Sequence, residues 1–256
     1  MSDLYLYKKN ENGNIIKSVS KKVDFEECIF VDEKQLKVVF DFSYNMTFGK
    51  VGEHRNHRTE GRHFRKNGEI FANTFQGKIC ECLLYQYLID NGVDANDITG
   101  IDFSMSKLGN WDSYDIKIKD KNIAVKSTKS IGNLLLLECS DWDKNGRYTP
   151  NIDVEYAFIV LIRLKPIVEE KLKQHKLLYS NECDRDELFD IVNDKYCADM
   201  PRCISLDGLK YIINNDFIIK QGEFLNSLKT PMDVNNYYIQ FANMQPIDKM
   251  LEKMGY

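Results

Sequence analysis

Residues Asn110–Ser130 read "NWDSYDIKIKDKNIAVKSTKS". Two short alternating runs, "YDIKI" and "NIAVKST", flank a charged turn, the pattern of an antiparallel hairpin. A two-residue loop at Asp120-Lys121, or a four-residue loop from Lys119 to Asn122, sets one register. In that register Asp115 lies opposite Lys126, with Cβ atoms about 5 Å apart. Side chains alternate along a strand. Ile116, Ile118, Ile123 and Val125 therefore share an apolar face. Asp115, Ala124, Lys126 and Thr128 share the other, which is expected to form a polar shelf.

A carboxylate and a lysine on such a shelf suit phosphodiester hydrolysis. The carboxylate can hold Mg²⁺, a hard ion that prefers oxygen ligands. Such an ion polarises the phosphate and lowers the pKa of a bound water. Lys126 can orient that water and offset transition-state charge. The plain alternative is a cross-strand ion pair worth well under ~1 kcal/mol. Asp112 is a rival for Asp115, but in this register it faces Lys129, beyond the shelf.

The surrounding chain suits a mixed sheet with helices packed on it, an α/β fold. "NTFQGKICECLLYQYLIDNG" reads as a helix that stops at Asn91 and Gly92. At 100° per residue Ile79, Cys80, Leu83, Leu84, Tyr87 and Leu88 fall on one arc, and Glu81 lies at its margin. "ITGIDFSMS" reads as a strand, and "DVEYAFIVLIRL" as a buried strand. "PIVEEKLKQHKLL" reads as a helix with Pro166 in its first turn. Residues 1–50, with "CIFVDEKQLKVVFDFSY", read as short strands or a mixed arm, and residues 50–69 as an exposed loop.

Asp115, Lys126 within "AVKST", and the preceding helix with Gly77 and Glu81 four residues later together resemble the core of the PD-(D/E)xK nuclease superfamily. That family carries an Asp at the start of one strand and acid-x-Lys on the next. The resemblance covers roughly residues 73–165 and implies a restriction-endonuclease-like central mixed sheet flanked by helices. Two departures stand out: Ala124 occupies the acid position, and Tyr114 rather than Pro precedes Asp115. The resemblance implies that Glu81 serves as the second metal carboxylate, with the Ala124 backbone carbonyl as a further ligand. It also implies a type II restriction-like endonuclease that uses Mg²⁺, with Mn²⁺ able to substitute. Its partners would be double-stranded DNA, a second copy in a homodimer, and a cognate DNA methyltransferase. Alternatives are a structure-specific or phage-defence nuclease, and a catalytically decayed nucleic-acid-binding module.

Net charge is −4, so any nucleic-acid contact needs locally concentrated positive charge. "HRNHRTEGRHFRK", His54–Lys66, meets that need with four Arg, one Lys and three His against one Glu. Arg55, Arg58, Arg62, Arg65 and Lys66 are the candidate DNA contacts, with Ser127 and Lys129. His54, His57 and His63 are a rival metal set, but zinc sites usually use tighter sets with Cys or a further acid, and the nearest Cys is Cys80. Trp111, Trp142 and the aromatics of "NNYYIQF" read as packing residues, and His175 as exposed.

The 256 residues carry 43% hydrophobic and 29% charged side chains, composition that suits a soluble protein with a sizeable core. We find no linker, and expect one compact domain over 1–256. It comprises an arm and basic loop over 1–72, a core over 73–165, and recognition or dimerisation additions over 166–256. Seven irregularly spaced Cys read as reduced thiols in a cytoplasmic protein. No apolar run approaches the ~20 residues of a membrane span, and the start lacks a secretory apolar stretch.

Overall fold

The computed structural model describes residues 4–49, 64–104, 115–151, 154–227 and 229–256. Arg55, Arg58, Arg62, the three loop histidines, Trp111 and Asp112 lie outside them. The described helices are α1 (Glu33–Met46), α2 (Asn67–Asp90), α3 (Val168–Gln174), α4 (Arg185–Val192), α5 (Leu206–Asn214) and α6 (Asp248–Met254). The first strands are β1 (Tyr7–Glu11), β2 (Asn14–Ser18), β3 (Ile29–Phe30), β4 (Ile116–Ile118), β5 (Lys121–Lys129), β6 (Leu134–Glu138) and β7 (Tyr156–Lys165). They are followed by β8 (Cys197–Ala198), β9 (Arg202–Ser205), β10 (Ile218–Ile219), β11 (Phe224–Leu225), β12 (Asn236–Gln240) and β13 (Gln245–Pro246).

The fold is mixed α/β. The central sheet runs β13-β9-β7-β5-β4, with β8 bridging β7 and β3. Strands β5 and β7 are parallel and the remaining pairs antiparallel. A parallel pair is normally covered on both faces. Here Ile123, Phe158, Val160, Ile162 and Leu164 enter one core with Phe75, Ile79 and Leu83 of α2. Their alternates Ala124, Ile159 and Leu161 enter a second core with Leu135 of β6, Ile239 of β12 and Ile212 of α5. The small sheet β10-β12-β6 thus contributes to the core on the face away from α2. The expected polar shelf is corrected at this point: around Ala124 that face is apolar core.

Helix α1 replaces the strands expected over its sequence. Asp32 caps it, accepting from the amides of Lys34 and Gln35 at 2.8 Å each. Leu36, Val39, Phe40, Ser43 and Met46 are its buried stripe, at helical three-and-four spacing. The local alternation of "VFDFSY" misleads because it spans under two turns. Helix α2 begins at Asn67, six residues before the expected start. Glu69 Oε2 accepts from the Lys66 amide at 2.8 Å, closing that first turn. Gly68 lets this turn press on the 177–178 backbone, since a Cβ there would lie 2.0 Å from the Leu177 carbonyl oxygen. The helix packs against α1, α3 and β5, which explains why it buries far more than one arc. It ends as expected at Asp90, with Gly92 at φ 91°.

The described part of "ITGIDFSMS", residues 98–104, makes a single bridge, Ile98 to Ile118, rather than a strand. Helix α3 starts two residues after Pro166 and is shorter than expected. Asn236 and Gln240 are buried and serve the fold. Gln240 Oε1 accepts from the Ser20 amide at 2.8 Å, while its Nε2 donates to the carbonyls of Leu4 and Tyr5. Trp142 packs on Tyr148 and Tyr156, and all seven Cys are free thiols. No described helix is long and apolar enough to cross a membrane.

Candidate active site

The hairpin forms, with a shifted register. Ile116 pairs with Ile123, Lys117 with Asn122, and Ile118 with Lys121. The two-residue turn is therefore Lys119-Asp120, and Lys119 takes φ 53°, the sign such tight turns require. Continuing this register places Asp115 opposite Ala124, not Lys126. The shift is two residues, an even number, so Asp115 keeps its face and becomes a diagonal neighbour of Lys126. Asp115 and Lys126 form no ion pair. Instead Asp115 Oδ2 accepts from the Val125 amide at 2.6 Å, which fixes this carboxylate at the sheet edge.

Glu81 is buried on α2, 7% exposed. Burial pushes its carboxyl up to about 7, against the opposing pull of Lys78, whose ammonium lies 2.7 Å from Oε2. The charges of Asp115 and Asp102 push it further the same way. The Asp115 charge therefore bears on the Glu81 carboxyl, behind burial and the pull of Lys78. Burial, and after it the charge of Asp115, raises the Tyr156 hydroxyl.

Lys126 is partly exposed, pairs across the sheet with Leu161, and has no hydrogen bond or ion pair among the described residues. Ser127, on the alternate face, accepts through Oγ from Gln76 Nε2 of α2 at 3.1 Å. That side chain is a helix–sheet tie, not a free DNA contact. Lys129 pairs with Glu169 at 2.8 Å. Arg65 and Glu169 both line a cleft of about 700 Å³ with Asn73, Tyr179 and Met232. Lys66 is exposed at the start of α2.

Among the described residues no three His, Cys, Asp or Glu side chains converge on a metal-sized point. The pair Glu81 and Asp115 still fits a divalent ion chemically. Both donors are carboxylate oxygens, and one oxygen of each has no hydrogen bond. Mg²⁺ keeps several waters and needs as few as one or two carboxylates. Ala124 cannot add a side-chain ligand: its methyl is 1% exposed, in the second core.

No family model, curated protein or solved structure matches this chain. The functional case therefore rests on the site itself. Lys78 and Tyr156 were missed at the sequence level. The three-residue spacing of Lys78 and Glu81 on one helix was a usable signal for the first. Tyr156 carried none, because its approach to Asp115 depends on tertiary packing.

Proposed function

We propose that this chain is a Mg²⁺-dependent endonuclease of double-stranded DNA, built like the type II restriction enzymes of the PD-(D/E)xK superfamily. The observation that carries this reading is the hairpin, in which Asp115 at the head of β4 accepts from the Val125 amide next to Lys126 on β5, with the buried carboxyl of Glu81 on α2. The order helix, hairpin, parallel neighbour strand supports a restriction-endonuclease-like core.

In this reading Glu81 and Asp115 would hold Mg²⁺ or Mn²⁺; the Ala124 carbonyl expected beside them points toward β7 instead, because it lies anti to the Val125 amide that donates to Asp115. The ion supplies Lewis acidity toward the scissile phosphate and a more acidic water. Asp115 is kept in place by the Val125 amide. Lys126, which has no partner among the described residues, orients the attacking water and offsets charge on the phosphate. Arg65, Lys66 and Lys129, with the Arg-rich stretch 55–62, bind the DNA backbone. The chain works as one domain and a homodimer in the cytoplasm, beside a methyltransferase that protects host DNA.

The test is incubation with unmethylated phage DNA and Mg²⁺. Discrete fragments support the restriction reading, and cleavage confined to branched DNA supports a structure-specific nuclease. No cleavage with either metal overturns the enzyme. A non-catalytic nucleic-acid-binding module is the second reading, favoured by the buried methyl of Ala124 where the family carries an acid. Mg²⁺ binding that Asp115→Asn removes counts against it.

A further inference from the structure

The proposed reaction gives Lys78 no task, yet its setting is not that of a surface lysine. Its ammonium sits 2.7 Å from Glu81 Oε2, with side-chain exposures of 16% for Lys78 and 9% for Glu81. Ion pairs at that depth roughly break even, because the loss of hydration offsets the attraction. Stability alone does not account for the pair.

The same ammonium lies 5.6 Å from the ring centre of Phe42 and 6.0 Å from that of Phe103. Those rings meet edge to face, 5.7 Å apart. Aromatic faces attract cations, so these rings already share Lys78 with Glu81 and would still hold it if the ion pair opened. A lysine suits movement between them. It is a single point charge on a four-carbon stem and breaks no bidentate fork on leaving. Glu81 needs such a companion, because it is buried beside the charges of Asp115 and Asp102.

We propose that Lys78 is the resident counter-cation of Glu81, which withdraws toward Phe42 and Phe103 when a divalent ion binds, and so sets the metal affinity of the site. This rests on Glu81 and Asp115 being the metal carboxylates. While Lys78 is paired, the site is charge-compensated and a divalent ion must compete for Glu81. A site without Lys78 is more negative and binds the ion at lower concentration.

The experiment is a titration of the full chain with MnCl₂, reading free Mn²⁺ by paramagnetic resonance, and with MgCl₂, reading thermal melting. Lys78→Met is expected to lower the half-saturating Mn²⁺ by at least about tenfold, the scale of one charge a few ångströms away in a partly buried site. Lys78→Arg, which keeps the charge, is expected to stay within about threefold of the native chain. If Lys78→Met does not fold, Lys78→Gln keeps a polar head and should show the same downward shift. Unchanged or weaker binding in Lys78→Met and Lys78→Gln, with binding abolished in Glu81→Gln and Asp115→Asn, overturns the role of Lys78 alone. Absence of binding to the native chain overturns the metal-ligand reading and this inference with it.

Discussion

Asp115 Oδ2 and the Val125 amide are joined by a 2.6 Å hydrogen bond across the two strands of the hairpin. One carboxylate oxygen is thereby committed to the backbone, and the other keeps no such partner. The bond ties the edge strand to the strand that carries Lys126, so the carboxylate and the lysine keep a fixed relation without touching.

Asp115→Asn keeps an acceptor for Val125 and removes the charge. Its melting temperature should stay within a few degrees of the native value, since a net hydrogen bond is worth about 1 kcal/mol and is largely retained. Cleavage and Mg²⁺ binding should both disappear. Full cleavage by this variant would remove Asp115 from the site.

Lys126→Ala separates catalysis from folding. Lys126 has no ion pair or hydrogen bond among the described residues, so truncation should cost about 0.5–1 kcal/mol at most. DNA binding, measured by gel shift without metal, should persist. The cleavage rate should fall by about 10²–10⁴-fold, the usual contribution of a positioned proton-handling group. Wild-type rates would show that Lys126 is an ordinary strand residue.

Glu81 gives the site a pH signature. Its folded carboxyl is near 7 and its ordinary value is 4.5. Between those values the folded chain holds a proton that the unfolded chain has released. Stability should therefore fall as pH rises from about 4.5 to about 7, by something on the order of 3 kcal/mol, and then level off. In melts without metal, Glu81→Gln should flatten that slope. With Mg²⁺ at pH 8 the native chain should regain stability and the variant should not. An equal slope in both proteins would show that Glu81 does not carry the effect.

How much of this was legible beforehand differs by element. The second half of α2 and strand β7 announce themselves through long apolar patterns, and both form where expected. The turn did not, because Lys119 adopts a positive φ usually left to Gly, Asn or Asp. A two-residue slip followed. Helix α1 was hidden by chance alternation, and the start of α2 by Gly68, which looks like a loop residue but serves a close backbone approach. Glu81 was picked out by the resemblance, four residues after Gly77, and its place at the margin of the helical arc is compatible with that. Its lysine partner was signalled by the three-residue spacing, but the depth of the pair was not.

Arg163 shows the same limit in the core. It ends an apolar run and reads as a strand tail, yet it is fully buried. Its Nε donates to Asp199 Oδ2 at 2.7 Å, and its other nitrogens donate to the carbonyls of Val23 and Asp24 at 2.6 and 2.7 Å. Phe241 stacks under it at 4.3 Å. This cluster ties the segment before β3 to the central sheet. Asp199→Ala should leave the guanidinium uncompensated and cost about 3–5 kcal/mol in denaturant unfolding. The metal affinity of whatever folds should match the native chain, because neither residue touches Glu81 or Asp115. A loss under about 1 kcal/mol would show that the backbone acceptors suffice.

Ala124 decides whether the missing acid can be restored. In the observed register it is the residue facing Asp115, which suggests that Ala124→Glu would rebuild the family's acid-x-Lys pattern. The packing argues the reverse. The methyl lies in the second core, with Ile159 and Leu161 of β7. A carboxylate there is stripped of water with no described partner, and should destabilise the chain by several kcal/mol at pH 8. Protonation relieves that cost, so the variant should regain stability as pH falls toward 5. Melting with and without 10 mM or so of Mg²⁺ separates the two possibilities. If Mg²⁺ leaves the deficit in place, position 124 belongs to the core and the site works with two carboxylates. Recovery to the native melting temperature would instead place position 124 at the metal.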